Sequence, residues 1–175
     1  MPQKILLGAN IIPYNGDAPK LGANTFVAGG AQIIGNVEIG DESSIWFNTV
    51  IRADCHWIKI GERTNVQDGT VIHVTQGTAP TQIGCDVTIG HSAVIHGCTI
   101  EDLCLIGMGA IILDGATVPT KSIIAAGSVV PPGKSYPSGW LIMGSPAKPV
   151  RQLKEHEITY LKESVKNYIY YQKGY

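Results

Sequence analysis

The 175 residues amount to one domain by size and carry 13 lysines and arginines against 14 aspartates and glutamates, a net charge of −1. No basic stretch marks a nucleic-acid surface and no run of about eighteen apolar residues offers to cross a bilayer, so neither nucleic acid nor membrane is expected as a partner. The first residues lack the long apolar region of a signal peptide, and four cysteines (55, 85, 98 and 104) without a Cys-x-x-Cys pair read as packing residues of a soluble, cytoplasmic protein.

Along the chain, aliphatic residues recur every sixth position: Val27, Ile33, Ile39, Ile45 and Ile51, then Ile60, Val66 and Ile72, then Ile83, Ile89 and Ile95, then Ile106, Ile112, Val118, Ile124 and Val130. That period fits neither an amphipathic helix nor an alternating strand. It fits a hexapeptide parallel β-helix, a triangular coil of three flat walls and about 18 residues per turn whose aliphatics point into the prism. Five or six coils between about residues 10 and 133 are expected, with small residues such as Gly40, Gly61, Gly84, Gly90 and Gly107 where the chain turns in little space. Residues 1–133 then form the β-helix domain and residues 134–149, rich in Pro and Gly, a loop connection. In residues 150–175 a helix packs on the coil through Val150, Leu153, Ile158, Leu161, Val165, Tyr168 and Ile169.

Counting phase assigns each hexad to a wall. If Ile51 lies on wall one, a three-residue insertion puts Ile60 on wall two, Val66 falls on wall three, and Ile72 returns to wall one; after a further excursion Ile83, Ile89 and Ile95 repeat the cycle. His73 and His96 each follow a wall-one aliphatic, so they point outward on adjacent coils about 4.8 Å apart, close enough to share a metal ion. His91 belongs to wall three and does not reach its own chain's pair. A threefold assembly that brings wall three of one subunit to wall one of the next would complete a three-histidine site with an open position, the arrangement that brings the pKa of bound water to about 7. Arg52 lies in the wall-one column below His73, with Asp54, Gln67 and Asp68 nearby; the arginine and aspartates could form interface ion pairs and orient the ligands. Histidine ligands suit zinc, iron or cobalt and not calcium or magnesium.

At Val50-Ile51-Arg52-Ala53-Asp54, Asn65-Val66-Gln67-Asp68-Gly69, Ile72-His73 and Ile89-Gly90-His91-Ser92-Ala93-Val94-Ile95-His96-Gly97 the chain resembles the γ-class carbonic anhydrase family, a likeness running from Gly8 to the C-terminal helix. The resemblance implies a left-handed β-helix and a homotrimer. It also implies that His73 and His96 of one subunit join a neighbour's His91 around Zn²⁺, with Fe²⁺ or Co²⁺ as alternatives. Metal-bound hydroxide would then attack CO₂ to give bicarbonate. By the same resemblance Gln67 hydrogen-bonds the hydroxide or bicarbonate, Arg52, Asp54 and Asp68 support the interface, and Tyr168 matches a tyrosine that some members place near the site.

The chain departs from the archetype in two places. Cys55 stands where that family has a glutamate, and Val74–Gln82 lacks the carboxylate that serves as proton shuttle there, which implies slow turnover. His56 is the nearby side chain suited to replace it, and His156 reads as surface. Two further readings use the same fold: acyl transfer from coenzyme A or metal-dependent thioester hydrolysis, and a non-catalytic trimer that binds metal or bicarbonate.

Overall fold

The computed structural model describes residues 2–175. Its body is a parallel β-solenoid, and the count of its coils is read along wall three. There Lys4–Ile5, Phe26–Val27, Ser44–Ile45, Asn65–Val66, Thr88–Ile89, Leu105–Ile106, Ile123–Ile124 and Trp140–Gly144 stack in order, each hydrogen-bonded to the next. Eight coils replace the five or six expected, because the first and last of these strands lie outside the regular six-residue spacing.

The register follows the phase count. Ile51, Ile72, Ile95, Ile112 and Val130 align on wall one, Ile60, Ile83, Ile100 and Val118 on wall two, and Val66, Ile89, Ile106, Ile124 and Ile142 on wall three. All are buried in one continuous axial core. Each such side chain stabilises the coil by roughly 1.5–3 kcal/mol, and each coil depends on its neighbours for that burial. The glycines that follow these aliphatics meet the lack of room expected, but the turns themselves fall on the next two residues. Gly61 and Gly107 do not turn the chain; a Cβ on Gly107 would lie 2.4 Å from the Ala126 nitrogen of the next coil, so they permit close stacking.

The three walls differ outside. Wall two is polar, with Glu38, Lys59, Gln82, Thr99 and Thr117 in one column and Glu38 paired to Lys20 and Lys59 at 3.3 and 3.4 Å. Wall one carries an outward aliphatic column, Val50, Val71, Val94, Ile111 and Val129, of which Val71 is 40% exposed. Wall three is met by the C-terminal helix α1, Glu155–Tyr171, which buries Leu161, Ser164 and Val165 and joins Ser164 to Thr88 at 3.0 Å.

The segment between coil and helix differs from its expectation. Trp140–Gly144 pairs antiparallel with Ala147–Gln152, so a β-hairpin occupies most of the supposed loop connection, and Val150 lies exposed on its second strand, outside the helix. Helix α1 starts only at Glu155. Its first turn is held by Glu157, whose carboxylate accepts the Lys154 N–H at 2.8 Å and an N–H from each of the two terminal Arg151 guanidinium nitrogens at 2.7 Å. These bonds, led by Arg151, lower the Glu157 pKa from its ordinary 4.5 to about 2.

Candidate metal centre

Wall one ends in two corners, and the functional side chains gather at both. At its trailing corner the long strand Val50–Ile60 bends from wall one to wall two, and Asp54–Trp57 loops out where the coil below supplies only Asn36 between the paired positions Gly35 and Val37. One coil above, the Val74–Pro80 excursion leaves the same corner, closed by the Thr75–Ala79 bridge. These insertions put Asp54 beside His73.

His73 and His96 are cross-strand partners on adjacent wall-one strands. Their rings face each other, with His73 Nδ1 3.1 Å from His96 Nε2. The outer nitrogen of each meets a carboxylate: His73 Nε2 lies 3.0 Å from Asp54 Oδ1, and His96 Nδ1 lies 2.5 Å from Asp114 Oδ1. Arg52 donates to the second Asp54 oxygen, and Thr75 donates to Asp114 at 2.5 Å. Burial pulls the Asp54 carboxyl upward, but the His73 and Arg52 hydrogen bonds outweigh it and the net pKa falls below the usual carboxylate range. Asp114 behaves alike: burial raises it, Thr75 and His96 lower it more. Both are therefore anionic acceptors, and each takes a ring N–H. With those tautomers, His73 Nδ1 and His96 Nε2 present two lone pairs to one point, and their separation is near the roughly 3.3 Å of two nitrogens sharing a tetrahedral zinc.

The leading corner carries His91, in the turn that follows the wall-three strand Thr88–Ile89. Its Nδ1 lies 2.7 Å from Asp68 Oδ2, while Asp68 Oδ1 accepts the Phe47 N–H at 3.2 Å. With Nδ1 donating to Asp68, His91 Nε2 is left as a third lone pair, at the other corner of wall one from the first two. Around it stand Trp46, Phe47, Tyr168 and Tyr175, in a cavity of about 690 Å³. Tyr168 packs edge-on against Trp46 at 5.4 Å between centroids, and burial, with the Asp68 charge second, pushes its phenol up to about 12. Tyr168 thus stays a proton donor at neutral pH. Gln67 is buried beside His91 and Tyr168 and donates to Asn65 Oδ1 at 3.1 Å.

The nine residues singled out from sequence therefore fall into two half-sites. Arg52, Asp54, His56, His73 and His96 share the trailing corner; Gln67, Asp68, His91 and Tyr168 share the leading corner. His56 lines a cavity of about 630 Å³ with Asp54 and Cys55, and its Nδ1 accepts the Trp57 N–H at 2.9 Å. His156 is exposed. Asp114 and Thr75 escape the sequence reading; the available signal is that Asp114 lies 18 residues, one coil, beyond His96. The cysteines divide too. Cys98 and Cys104 are buried, with burial raising both thiols to about 12, whereas Cys55 is exposed and is not a packing residue.

The donor set fits a transition metal. Three imidazoles, each locked by a carboxylate on its outer nitrogen, form the carboxylate–histidine arrangement that fixes the tautomer and strengthens the ligand.

Many known proteins are similar to this chain. The "Bacterial transferase hexapeptide (six repeats)" family matches residues 18–53 and 80–114. The chain is 47% identical over 157 residues to gamma carbonic anhydrase 2, mitochondrial, of Arabidopsis thaliana, covering 87% of this chain and only 56% of that protein's length. It is 46% identical over 159 residues to a carbonic anhydrase of Geobacillus kaustophilus, covering 91% of this chain and 87% of the other. Among solved structures, a hexapeptide transferase family protein from Anaplasma phagocytophilum superposes with a TM-score of 0.90 at 44% identity, covering 97% of this chain and 99% of that one. With near-full-length identity of this order and the histidine-bearing segments in register on a parallel β-solenoid, the chain belongs to the γ-class carbonic anhydrase-like family of hexapeptide-repeat proteins, whose named enzymes are lyases.

Proposed function

We propose that this protein catalyses the reversible hydration of CO₂ to bicarbonate at metal sites shared between the subunits of a homotrimer. Each site would take His73 and His96 from one chain and His91 from the next. The observation that carries this reading is the locking of all three imidazoles by Asp54, Asp114 and Asp68, which spends one nitrogen of each ring and leaves one lone pair for an ion.

The outer walls support the trimer. Wall two is polar and wall three has its helix, but wall one offers an aliphatic column to solvent, and such a surface calls for a partner. A wall facing a threefold axis meets its neighbours along its edges, the leading edge of one chain against the trailing edge of the next. His91 stands on the leading edge, the His73–His96 pair on the trailing edge.

Zn²⁺ suits this donor set, with Fe²⁺ or Co²⁺ as alternatives, and when bound the ion would supply acidified water for addition to CO₂. The chain's own groups do the rest. The free N–H of the Gln67 amide positions a substrate oxygen, and Tyr168 closes the same pocket with an apolar ring and a protonated hydroxyl. Arg52 neutralises Asp54 and so steadies His73. Proton exit would use His56 through Nε2, since Nδ1 is engaged by Trp57. With Cys55 in a carboxylate's place and no acid between Val74 and Gln82, turnover is slow and rises with buffer concentration. Four unpaired cysteines fit a cytoplasmic setting, and among the described residues no helix is long and apolar enough to cross a membrane.

The test is stopped-flow CO₂ hydration on anaerobically purified protein of assayed metal content, with His91→Ala alongside. Activity that tracks the metal and disappears in the variant is the expected result. One ion per chain without hydration under zinc, iron or cobalt would replace this reading with thioester hydrolysis or a binding role.

A further inference from the structure

The Asp54–Trp57 insertion does more than deliver Asp54 to His73. It also sets the Cys55 thiol, exposed on the rim of the 630 Å³ cavity, next to both. One ligand atom from each of Asp54, Cys55 and His73 lies within 4.8 Å of the other two. The Cys55 thiol reaches back to the Val74 carbonyl at 3.7 Å. Zinc bonds of about 2.3 Å to sulfur and 2.0–2.1 Å to nitrogen span at most roughly 4.4 Å, so a small turn of the exposed thiol closes the set.

His73 belongs to two donor sets through opposite ring nitrogens. Nδ1 faces His96, and Nε2 faces Asp54. A neutral imidazole has one lone pair, so it serves one set at a time.

We infer that Asp54, Cys55 and His73 form an intrachain site for a thiophilic divalent cation, Zn²⁺ or Cd²⁺, whose occupation excludes an ion held by His73, His96 and a neighbour's His91. Soft thiolate with imidazole and carboxylate selects such ions over magnesium or calcium. On binding, the thiol proton leaves to buffer and the His73 ring proton passes from Nε2 to Nδ1, where His96 Nε2 accepts it across 3.1 Å. Water from the cavity fills the fourth position. The binding itself stands on these three residues alone; the exclusion rests on the shared site proposed above. Together they make the centre a choice between two one-ion states, and a more thiophilic ion such as Cd²⁺ draws His73 out of the productive set.

The experiment titrates the reduced, metal-free full chain with Co²⁺ and reads thiolate-to-cobalt charge-transfer absorption, with far-ultraviolet circular dichroism checking that each variant keeps its coil. The band is expected in the wild type, in Cys85→Ser and in His91→Ala, and lost in Cys55→Ser. Its absence from the wild type, or its persistence in Cys55→Ser, overturns the site. A band of equal intensity per bound cobalt in the wild type and in His91→Ala supports this site and overturns a competing shared one. For the exclusion, Cd²⁺ added to zinc-loaded protein is expected to lower CO₂ hydration at least tenfold and to spare Cys55→Ser; equal inhibition of both overturns it.

Discussion

The trailing corner of wall one is built in two ways. In the upper coils it is a tight turn, and the six-residue spacing runs unbroken from Ile106 to Val130. In the middle coils the same corner is opened twice, by Asp54–Trp57 and by the excursion from Val74 to Pro80, and His73 lies between the openings. The aliphatic columns continue through both regions without a step, because inserted residues leave at the corner and the chain rejoins the wall in register. The difference teaches that the repeat supplies rigidity and its interruptions supply chemistry.

Substitutions on the two kinds of surface should separate these roles. The largest effect is expected from Val71→Asp on the outer face of wall one: light scattering should show the trimer reduced to single chains and bound metal lost. Thr99→Asp on polar wall two should change neither. In the regular upper coils, Ile112→Ala removes a fully buried side chain and should cost about 2–5 kcal/mol in urea unfolding while folded protein retains its metal. At the opened corner the signature should reverse. Asp114→Asn keeps its volume but gives His96 Nδ1 a neutral acceptor in place of an anionic one, and metal affinity measured by chelator competition should fall about 10–100-fold with little change in stability.

Gly97→Ala tests both regions together. Gly97 sits at φ 52°, and a Cβ there would lie 2.8 Å from Ala79 Cβ and from Asp114 Oδ1. A stability loss of about 1–3 kcal/mol should accompany a displaced Asp114, read as weaker metal binding. The smallest effect is confined to helix α1. Because the folded Glu157 pKa is depressed, its stabilisation is complete above the ordinary value of 4.5 and is lost as pH falls towards about 2. Fluorescence of Trp46, which Tyr168 packs against, should report loosening in that window in the wild type and already at neutral pH in Glu157→Gln.

Much of this was legible from spacing because a coil of fixed length converts sequence distance into position. Counting hexads is enough to put His73 over Arg52 and His96 over His73 and to separate His91 from that pair, although His91 lies in the corner turn between walls three and one and not on wall three itself. The count stops short where aliphatic spacing ceases to report contacts. Residues 140–149 read as a loop and 150–152 as the start of the helix because prolines and glycines hide a hairpin made by backbone hydrogen bonds, and Val150 sits in helical phase by coincidence. Asp114 looks like a solvated surface charge, since only the stacking of coils shows which histidine it faces. Cys55 carries no signal that distinguishes it from buried Cys98 until the insertion's direction is known.

Shared ligation between chains is the central claim, and subunit complementation tests it most directly. His73→Ala and His91→Ala should each lack hydration activity. Unfolded together in equal amounts and refolded, they should regain about a quarter of wild-type activity, because one interface in four pairs an intact His73–His96 edge with an intact His91. No recovery from mixed trimers of verified composition would contradict a site built across two chains.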